Sequence, residues 1–396
     1  MSLNNNQITN VLTSLYQQIT GDTEITSISL QGVIDTASDN SILTDKDTFT
    51  KALISRLVNN WFTDSSYRSS YTDLFFQNEA EFGAIVQAIS IEAPAVQESH
   101  AWKEVTSGVT TAGSYVIYTP IIHTQYYGKS VSWELPVAVT YEQWDTAVES
   151  ADGLNELIQY VFLAVDNALT QHLEDLDNAN RNNFIAEKIA YATKINAEGV
   201  HVVNLLKAYV DETGSKITTA QEFLSNADAL RYASGKLGLY MDYMRKQSKL
   251  FNTAGYTRFT PTDRLVVQIL SDFKTKMDAV ALSTTFHDEY VALPNHQAVP
   301  YWQGALLEGN NPFDFKNVSS IDVVTSSDGT AIKKSGIVAF MCDKWAIVHT
   351  LIKHRVAVKD FNPEAITQYY YQFRDRYMNN LTLNAIVFTI EDIAAA

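Results

Sequence analysis

The segment Gly153-Leu-Asn-Glu-Leu-Ile-Gln-Tyr-Val-Phe-Leu-Ala-Val-Asp-Asn-Ala-Leu-Thr-Gln-His-Leu-Glu-Asp-Leu176 places apolar side chains at Leu154, Leu157, Ile158, Val161, Val165, Leu169, Leu173 and Leu176. Steps of three and four residues put them on one face of a helix. Neither Gly nor Pro occurs between Gly153 and Gly199, so the pattern predicts one amphipathic helix of up to ~40 residues, or ~60 Å at 1.5 Å per residue. Ordinary globular helices run to about three turns. The run Asn178-Ala-Asn-Arg-Asn-Asn is where an interruption is expected. Two readings stay open: a long core helix, or a spine on which the rest of the subunit is hung.

Upstream of this helix the texture changes. Residues 101–141 are rich in β-branched and aromatic side chains and are punctuated by Gly108, Gly113, Pro120, Gly128 and Pro136, the composition of strands and turns. The reading is a long hairpin, with Ser114-Tyr-Val-Ile-Tyr-Thr as one strand and Ser130-Val-Ser-Trp-Glu-Leu as the other. A two-stranded ribbon alone is marginal in water and needs a covering surface. Residues 1–65 mix short apolar clusters with Asn, Asp, Ser and Thr and carry helical spacing over 50–62, which reads as an arm containing a short helix.

Downstream, 200–355 alternate helices, expected at 219–235 and 263–281, with short strands, one at 336–351. Val356-Ala-Val, the aromatic 369–377 segment and the alternating 381–390 segment read as strands of a sheet returning beneath the long helix. No repeat and no Pro/Ser-rich linker divides the chain, so the domains are expected to be interwoven.

Bulk properties narrow the function. The 396 residues are 46% apolar and 11% aromatic, enough for a sizeable core. Lys and Arg total 29 against 45 Asp and Glu, a formal charge of −16, which opposes sequence reading of nucleic acid. An acidic balance keeps a protein soluble. Cys342 is the only cysteine, which excludes an intrachain disulfide and a multi-cysteine zinc site. Its apolar setting over 337–342 predicts a buried, inert thiol. The polar start, 1–20, lacks the basic and apolar regions of a signal peptide, and no apolar run reaches the ~18 residues of a membrane span. Residence in the cytoplasm during synthesis is the expectation.

Chemical motifs fail one by one. Gly128-Lys-Ser has His123 where a phosphate-binding loop needs its first Gly. Asp175, Asp177 and Asn180 have Ala179 and Asn180 where a calcium loop needs an Asp or Asn and a Gly. His349 and His354 are five apart, not four, and no nucleophile elbow occurs. No catalytic, cofactor or metal residue is assigned, and an enzyme is not expected.

The order of arm, hairpin, spine helix, mixed domain and terminal sheet resembles the Hong Kong 97-type capsid fold, an α+β architecture. More specifically, Phe340-Met-Cys-Asp-Lys-Trp-Ala-Ile, Phe361-Asn-Pro-Glu, Tyr369-Tyr-Tyr-Gln-Phe and Asn384-Ala-Ile-Val-Phe look like the tail of major capsid proteins from small short-tailed phages, the phi twenty-nine and picovirus group. The resemblance implies an N-terminal arm (1–65), a peripheral domain (66–100 and 142–200) with the spine helix, and an extended loop (101–141). An axial domain (201–355) and a peripheral C-terminal sheet (356–396) complete the expected layout. It implies a shell subunit, in pentamers and hexamers, around double-stranded DNA bound without sequence specificity. A scaffolding protein and a portal would assist assembly in the host bacterial cytoplasm, and no membrane is involved. Lys103, Tyr115, Tyr118, Tyr126, Tyr127, Lys129 and Trp133 of the loop are the expected intersubunit contacts. One branch of the family cross-links a loop lysine, but no matching asparagine and glutamate context accompanies Lys103 or Lys129. The alternatives are an encapsulin-type nanocompartment shell and a cytosolic α/β enzyme.

Overall fold

The structure, a computed structural model, describes residues 76–79, 86–92, 121–128, 130–140, 151–283, 296–304, 311–325, 329–361 and 366–392. The expected arm with its helix over 50–62, the strand at 114–119, and Lys103, Tyr115, Tyr118 and Lys129 lie outside the described residues. In chain order the strands before the spine are β1 (Phe76–Glu79), β2 (Val86–Ile91), β3 (Ile122–Tyr127) and β4 (Val131–Thr140). Then come α1 (Ala151–Ile195), β5 (Val202–Asn204), α2 (Leu205–Thr213), α3 (Ala220–Ser225), α4 (Ala227–Arg245), β6 (Leu265–Leu270), α5 (Ser271–Ser283) and β7 (His296–Val299). The chain continues with α6 (Phe315–Val318), β8 (Ile321–Val324), β9 (Ala331–Lys334), β10 (Ile337–Asp343), β11 (Ile347–Phe361), β12 (Ile366–Asn379) and β13 (Ala385–Thr389).

Helix α1 runs unbroken for 45 residues, ~67 Å at 1.5 Å per residue. The expected interruption at 178–183 does not occur. Asparagine weakens helices when its side chain competes for nearby backbone groups, and here the side chains of Arg181 and Asn182 are engaged with another segment instead. Asn182 Nδ2 and Arg181 Nη2 both donate to the Trp302 carbonyl, at 2.6 and 3.1 Å, and the Asn180 carbonyl accepts from Asn379 Nδ2 at 3.1 Å. The helix stops where Asn196 adopts φ 49°. Ala197 N–H then bonds back to the Ala192 carbonyl (3.1 Å) and Asn196 N–H to that of Thr193 (3.4 Å), a Schellman closure with Asn in the left-handed position.

Two sheets flank this rod. A mixed five-stranded sheet has the order β5-β13-β10-β6-β7, and a four-stranded sheet the order β1-β11-β12-β4. Strands β6, β10 and β13 are buried at every position. Phe184 of α1 packs edge-on against Phe340 of β10, with ring centroids 5.7 Å apart. Cys342 is fully buried among them, and burial drives its thiol well above the ordinary range.

Four expectations need correction. The helix expected over 263–281 begins only at Ser271: Leu265-Val-Val-Gln-Ile-Leu is a strand hydrogen-bonded between β10 and β7. A continuous apolar run with three β-branched residues suits a strand covered on both faces, and periodicity alone does not separate it from a buried helix. The helix expected over 219–235 is two helices. Thr219 caps the first in a capping box with Glu222, and Asn226 breaks it and caps the second through Asp228 and Ala229 N–H. The strand at 336–351 is β10 and the start of β11, parted by a short 3-10 turn over Lys344–Ala346. The 381–390 segment yields β13, which joins the five-stranded sheet between β5 and β10 instead of lying beside β11 and β12.

Lys188 ties α1 to the five-stranded side. With no exposed surface, its Nζ donates to the Phe251 carbonyl at 2.7 Å and lies 3.3 Å from His201 Nδ1. Burial pushes Lys188 down to about 7, and burial together with the Lys188 charge pushes His201 down to about 4. A base with a depressed folded pKa leaves the unfolded chain holding more protons, so stability rises with pH, for Lys188 between about 7 and the ordinary lysine range. Thermal and denaturant unfolding between pH 7 and 9 should therefore show the wild type gaining up to ~1.4 kcal/mol per pH unit relative to Lys188→Met. Parallel curves for the two proteins would remove Lys188 from the linkage.

Candidate intersubunit surface

Strands β2 and β3 form an antiparallel ribbon in which Ile91 faces Ile122, Ile89 faces Thr124 and Gln87 faces Tyr126. Their connection contains 93–120, outside the described residues, and the Glu92 N–H closes the ribbon on the Ile121 carbonyl at 2.9 Å. Alternation sends Gln87, Ile89 and Ile91 to the same face as Ile122, Thr124 and Tyr126. That face is the exposed one: Ile89 is 62% exposed, Ile91 65%, Ile122 58% and Tyr126 67%.

The opposite, polar face is the one that meets the body. The His123 ring stacks on Tyr256, centroids 3.7 Å apart and 15° from parallel. Arg258 Nη2 donates to Ser90 Oγ at 2.7 Å, its guanidinium 5.5 Å from the Tyr256 ring centre. Glu92 collects Thr257 Oγ1 (3.4 Å), Lys249 Nζ (3.4 Å) and His123 Nε2 (3.6 Å). Partial burial raises the Glu92 carboxyl, but the attraction of the nearby His123 and Lys249 outweighs it and holds it below the ordinary value. The ribbon is thus turned inside out, with polar groups against the protein and isoleucines toward solvent. Large contiguous exposed apolar surface on a soluble chain marks an interaction site.

A cavity of about 500 Å³ lies between the ribbon and the body, lined by His123, Tyr256, Arg258, Arg264, Trp345 and Met378 among others. Arg264 is held by Asp343, with Nε–Oδ1 at 3.1 Å, and lies 3.7 Å over the Trp345 ring. None of these is a nucleophile held by an oriented base. Among the described residues, no group of three or more His, Cys, Asp or Glu could hold a metal.

The sequence-derived contact residues separate on this geometry. Tyr126 points outward. Tyr127 points inward, its hydroxyl donating to Gln125 Oε1 at 2.7 Å, and burial pushes its phenol up to about 12. Trp133 lies on β4, whose partner among the described residues is β12. Its ring stacks on Phe373 at 4.1 Å and its Nε1 donates to Asp375 Oδ2 at 2.8 Å, all within the subunit. Sequence reasoning missed Ile89, Ile91 and Ile122. The alternation in Gln87-Ala-Ile-Ser-Ile-Glu fits a strand that the sequence analysis did not assign, and nothing in it says which face meets the body.

Comparison with known families now decides the identity. The model of the Phi29-like phage major capsid proteins matches residues 6–389, nearly the whole chain. The chain belongs to that family. This major capsid protein is therefore a structural subunit of a phage capsid, not an enzyme, and copies of it assemble into the shell of the virion. No curated protein sequence matches it. Among solved structures it is similar to a chain in the capsid structure of Staphylococcus phage Andhra, with TM-score 0.52, 9% identity, and 83% of this chain and 86% of that one covered. It is also similar to a chain in the structure of the head fiber and inner core protein gp22 of native bacteriophage P68, with TM-score 0.50, 10% identity and the same coverage of 83% and 86%. The expected α+β fold of the Hong Kong 97 type is the one observed, and neither the nanocompartment nor the enzyme alternative finds support.

The seat of the ribbon is testable on this capsid protein. Arg258→Ala removes a charged hydrogen bond and should speed hydrogen exchange of 86–92 and 122–127 by about tenfold, after allowance for its partial exposure, while 180–190 in α1 exchange as before. Unchanged exchange in the ribbon would show that the His123–Tyr256 stack and the Glu92 contacts seat it without Arg258.

Proposed function

We propose that the ribbon is the intersubunit lap of an icosahedral shell: its apolar face, centred on Ile89, Ile91, Ile122 and Tyr126, docks on a second copy of this chain. The inside-out polarity of the ribbon carries this reading, because four large apolar side chains on one face are stable in water only when something covers them. Lys103, Tyr115, Tyr118 and Lys129 belong to the same extended loop and extend the contact. Tyr127 and Trp133 serve it from behind, one by seating the ribbon and the other by fixing β4 to β12 and α1. On this reading α1 with the four-stranded sheet forms the peripheral domain, and the five-stranded sheet with α2 to α5 forms the axial domain of pentamers and hexamers.

The shell would enclose double-stranded DNA of a short-tailed phage without reading its sequence. A formal charge of −16 supports this, because an acidic wall does not adhere to the phosphate backbone. Assembly in the host bacterial cytoplasm, helped by a scaffolding protein and a portal, completes the proposal.

The assay is particle formation. The double substitution Ile89→Asp with Tyr126→Asp alters only exposed positions, so the subunit should keep its circular dichroism while closed particles disappear from sedimentation profiles. Normal yields of closed particles would place the lap elsewhere.

A further inference from the structure

The buried edge of α1 facing the four-stranded sheet is a ladder at four-residue steps: Val165 (2% exposed), Leu169 (1%), Leu173 (6%) and then Asp177 (5%). The apolar pattern of the sequence assigns the last rung to Leu176, which is instead half-buried. A carboxylate thus occupies the position that the helix geometry reserves for a hydrocarbon, where an isolated charge is costly. Its Oδ2 is buried and accepts no hydrogen bond from the described residues.

Across the seam stands a second carboxylate, Asp375 of β12, with no exposed surface. Its Oδ2 accepts from Trp133 Nε1 at 2.8 Å, and its Oδ1 lies 3.9 Å from His349 Nε2 of β11. His349 stacks flat on Tyr377, centroids 4.5 Å apart and 7° from parallel, and the Tyr377 hydroxyl is buried without a hydrogen bond to the described residues. On the helix itself the neighbouring titratable groups are His172, whose ring tilts against Trp133 at 4.3 Å, Glu174 and Arg181. The Arg181 guanidinium is turned toward the Trp302 carbonyl at 3.1 Å. On β11 the facing group is His349, and on β12 they are Asp375 and Tyr377. Arg376 projects from the other face of β12, and β4 contributes Trp133, which does not titrate.

Two carboxylates and one histidine are therefore enclosed between a helix and a sheet, and among the described residues no cation is bonded to Asp177. Burial pushes Asp177 up to about 6; His349 and Arg181 pull it down, and Asp375 and Glu174 push it further up. A carboxylate facing another out of water is favoured in its protonated form. We propose that this seam is a proton-operated latch, in which a proton on Asp177, held opposite Asp375 and His349, seats α1 on the four-stranded sheet and its loss loosens that seat.

The sign follows from the buried acid. An acid whose folded pKa lies above its unfolded value stabilises the fold in its protonated form and loses that contribution as pH rises through the folded value, here about 6. Mild acid tightens the seam and neutral pH slackens it. Lys188, three turns further along α1, has the opposite dependence and belongs to the other sheet.

Amide hydrogen exchange on assembled particles tests the latch, with protection factors corrected for the intrinsic pH dependence of exchange. In the wild type, protection of 172–181, 347–350 and 373–379 should rise about tenfold between pH 7.5 and 5.0, since one carboxyl with a folded value of about 6 and an ordinary unfolded value changes the seating equilibrium by about that factor over this range. Asp177→Asn, which imitates the protonated acid, should show the acid level of protection at both pH values. His349→Gln removes the downward pull on Asp177 and should move the midpoint of the transition upward in pH. If Asp177→Asn forms no particles, the His349→Gln midpoint decides. A pH-independent seam in the wild type, a full pH response in Asp177→Asn, or an unmoved midpoint in His349→Gln would each overturn the proposal.

Discussion

The structure depends on one rod being buried from two sides. Over most of its length a surface helix hides a stripe, but from Arg181 to Ile189 α1 is enclosed nearly all round, with eight of the nine residues buried. A helix so enclosed cannot shed its polar side chains into water, so each is bound. Arg181 and Asn182 end on the Trp302 carbonyl, and Lys188 ends on that of Phe251. The hydrophobic gain is large, at about 1.5–3 kcal/mol for each fully buried Phe or Ile. The bonded polar groups set the register, because a slip by one residue would leave Lys188 buried without an acceptor. The five-stranded sheet and the four-stranded sheet are thereby fixed to a common axis, and the peripheral strands inherit their positions from it.

From that axis the ribbon is carried outward by β4. Strand β4 is clamped to β12 from Val131 to Thr140, and Pro136 is tolerated because β4 is the outermost strand of its sheet among the described residues. The short connection over 128–130 then delivers β3 to the body with its polar side down, where His123 and Ser90 find Tyr256 and Arg258. A compact enzyme would gain stability by turning this ribbon over. Its actual orientation gives up that stability in the isolated subunit, and on the proposed reading it stores association free energy in the fold by offering the apolar surface to another copy.

The seams on the two sides of α1 differ in chemistry. On the five-stranded side a lysine is buried against a carbonyl and a histidine; on the four-stranded side an aspartate is buried against another aspartate and a histidine. Burial outweighs the other influences on both groups, so both respond to pH, in opposite directions. The subunit is a rod whose two attachments are weighted differently by protons.

Much of this was legible in residue order. Helical spacing without Gly or Pro from 154 to 198 determined a long helix, because that spacing generates an apolar stripe in any surroundings. The order of elements and the aromatic tail motifs resembled a capsid subunit, and Cys342 was identified as a buried thiol from its apolar neighbours. Pairing was not legible. Leu265-Val-Val-Gln-Ile-Leu reads equally as buried helix or strand, and only β10 and β7 beside it make it a strand. Residues 130–135 pair with β12 across more than two hundred residues of sequence, and Ala385–Thr389 chose the five-stranded sheet over its sequence neighbours. The inside-out face of the ribbon and the carboxylate on the last rung of α1 are likewise invisible to a period-two or period-3.6 pattern. Alternation says that two faces differ, and helical spacing says which residues share an edge. Which face meets the body, and whether the edge ends on Leu176 or Asp177, depends on packing against strands distant in sequence, and only the tertiary structure decides it.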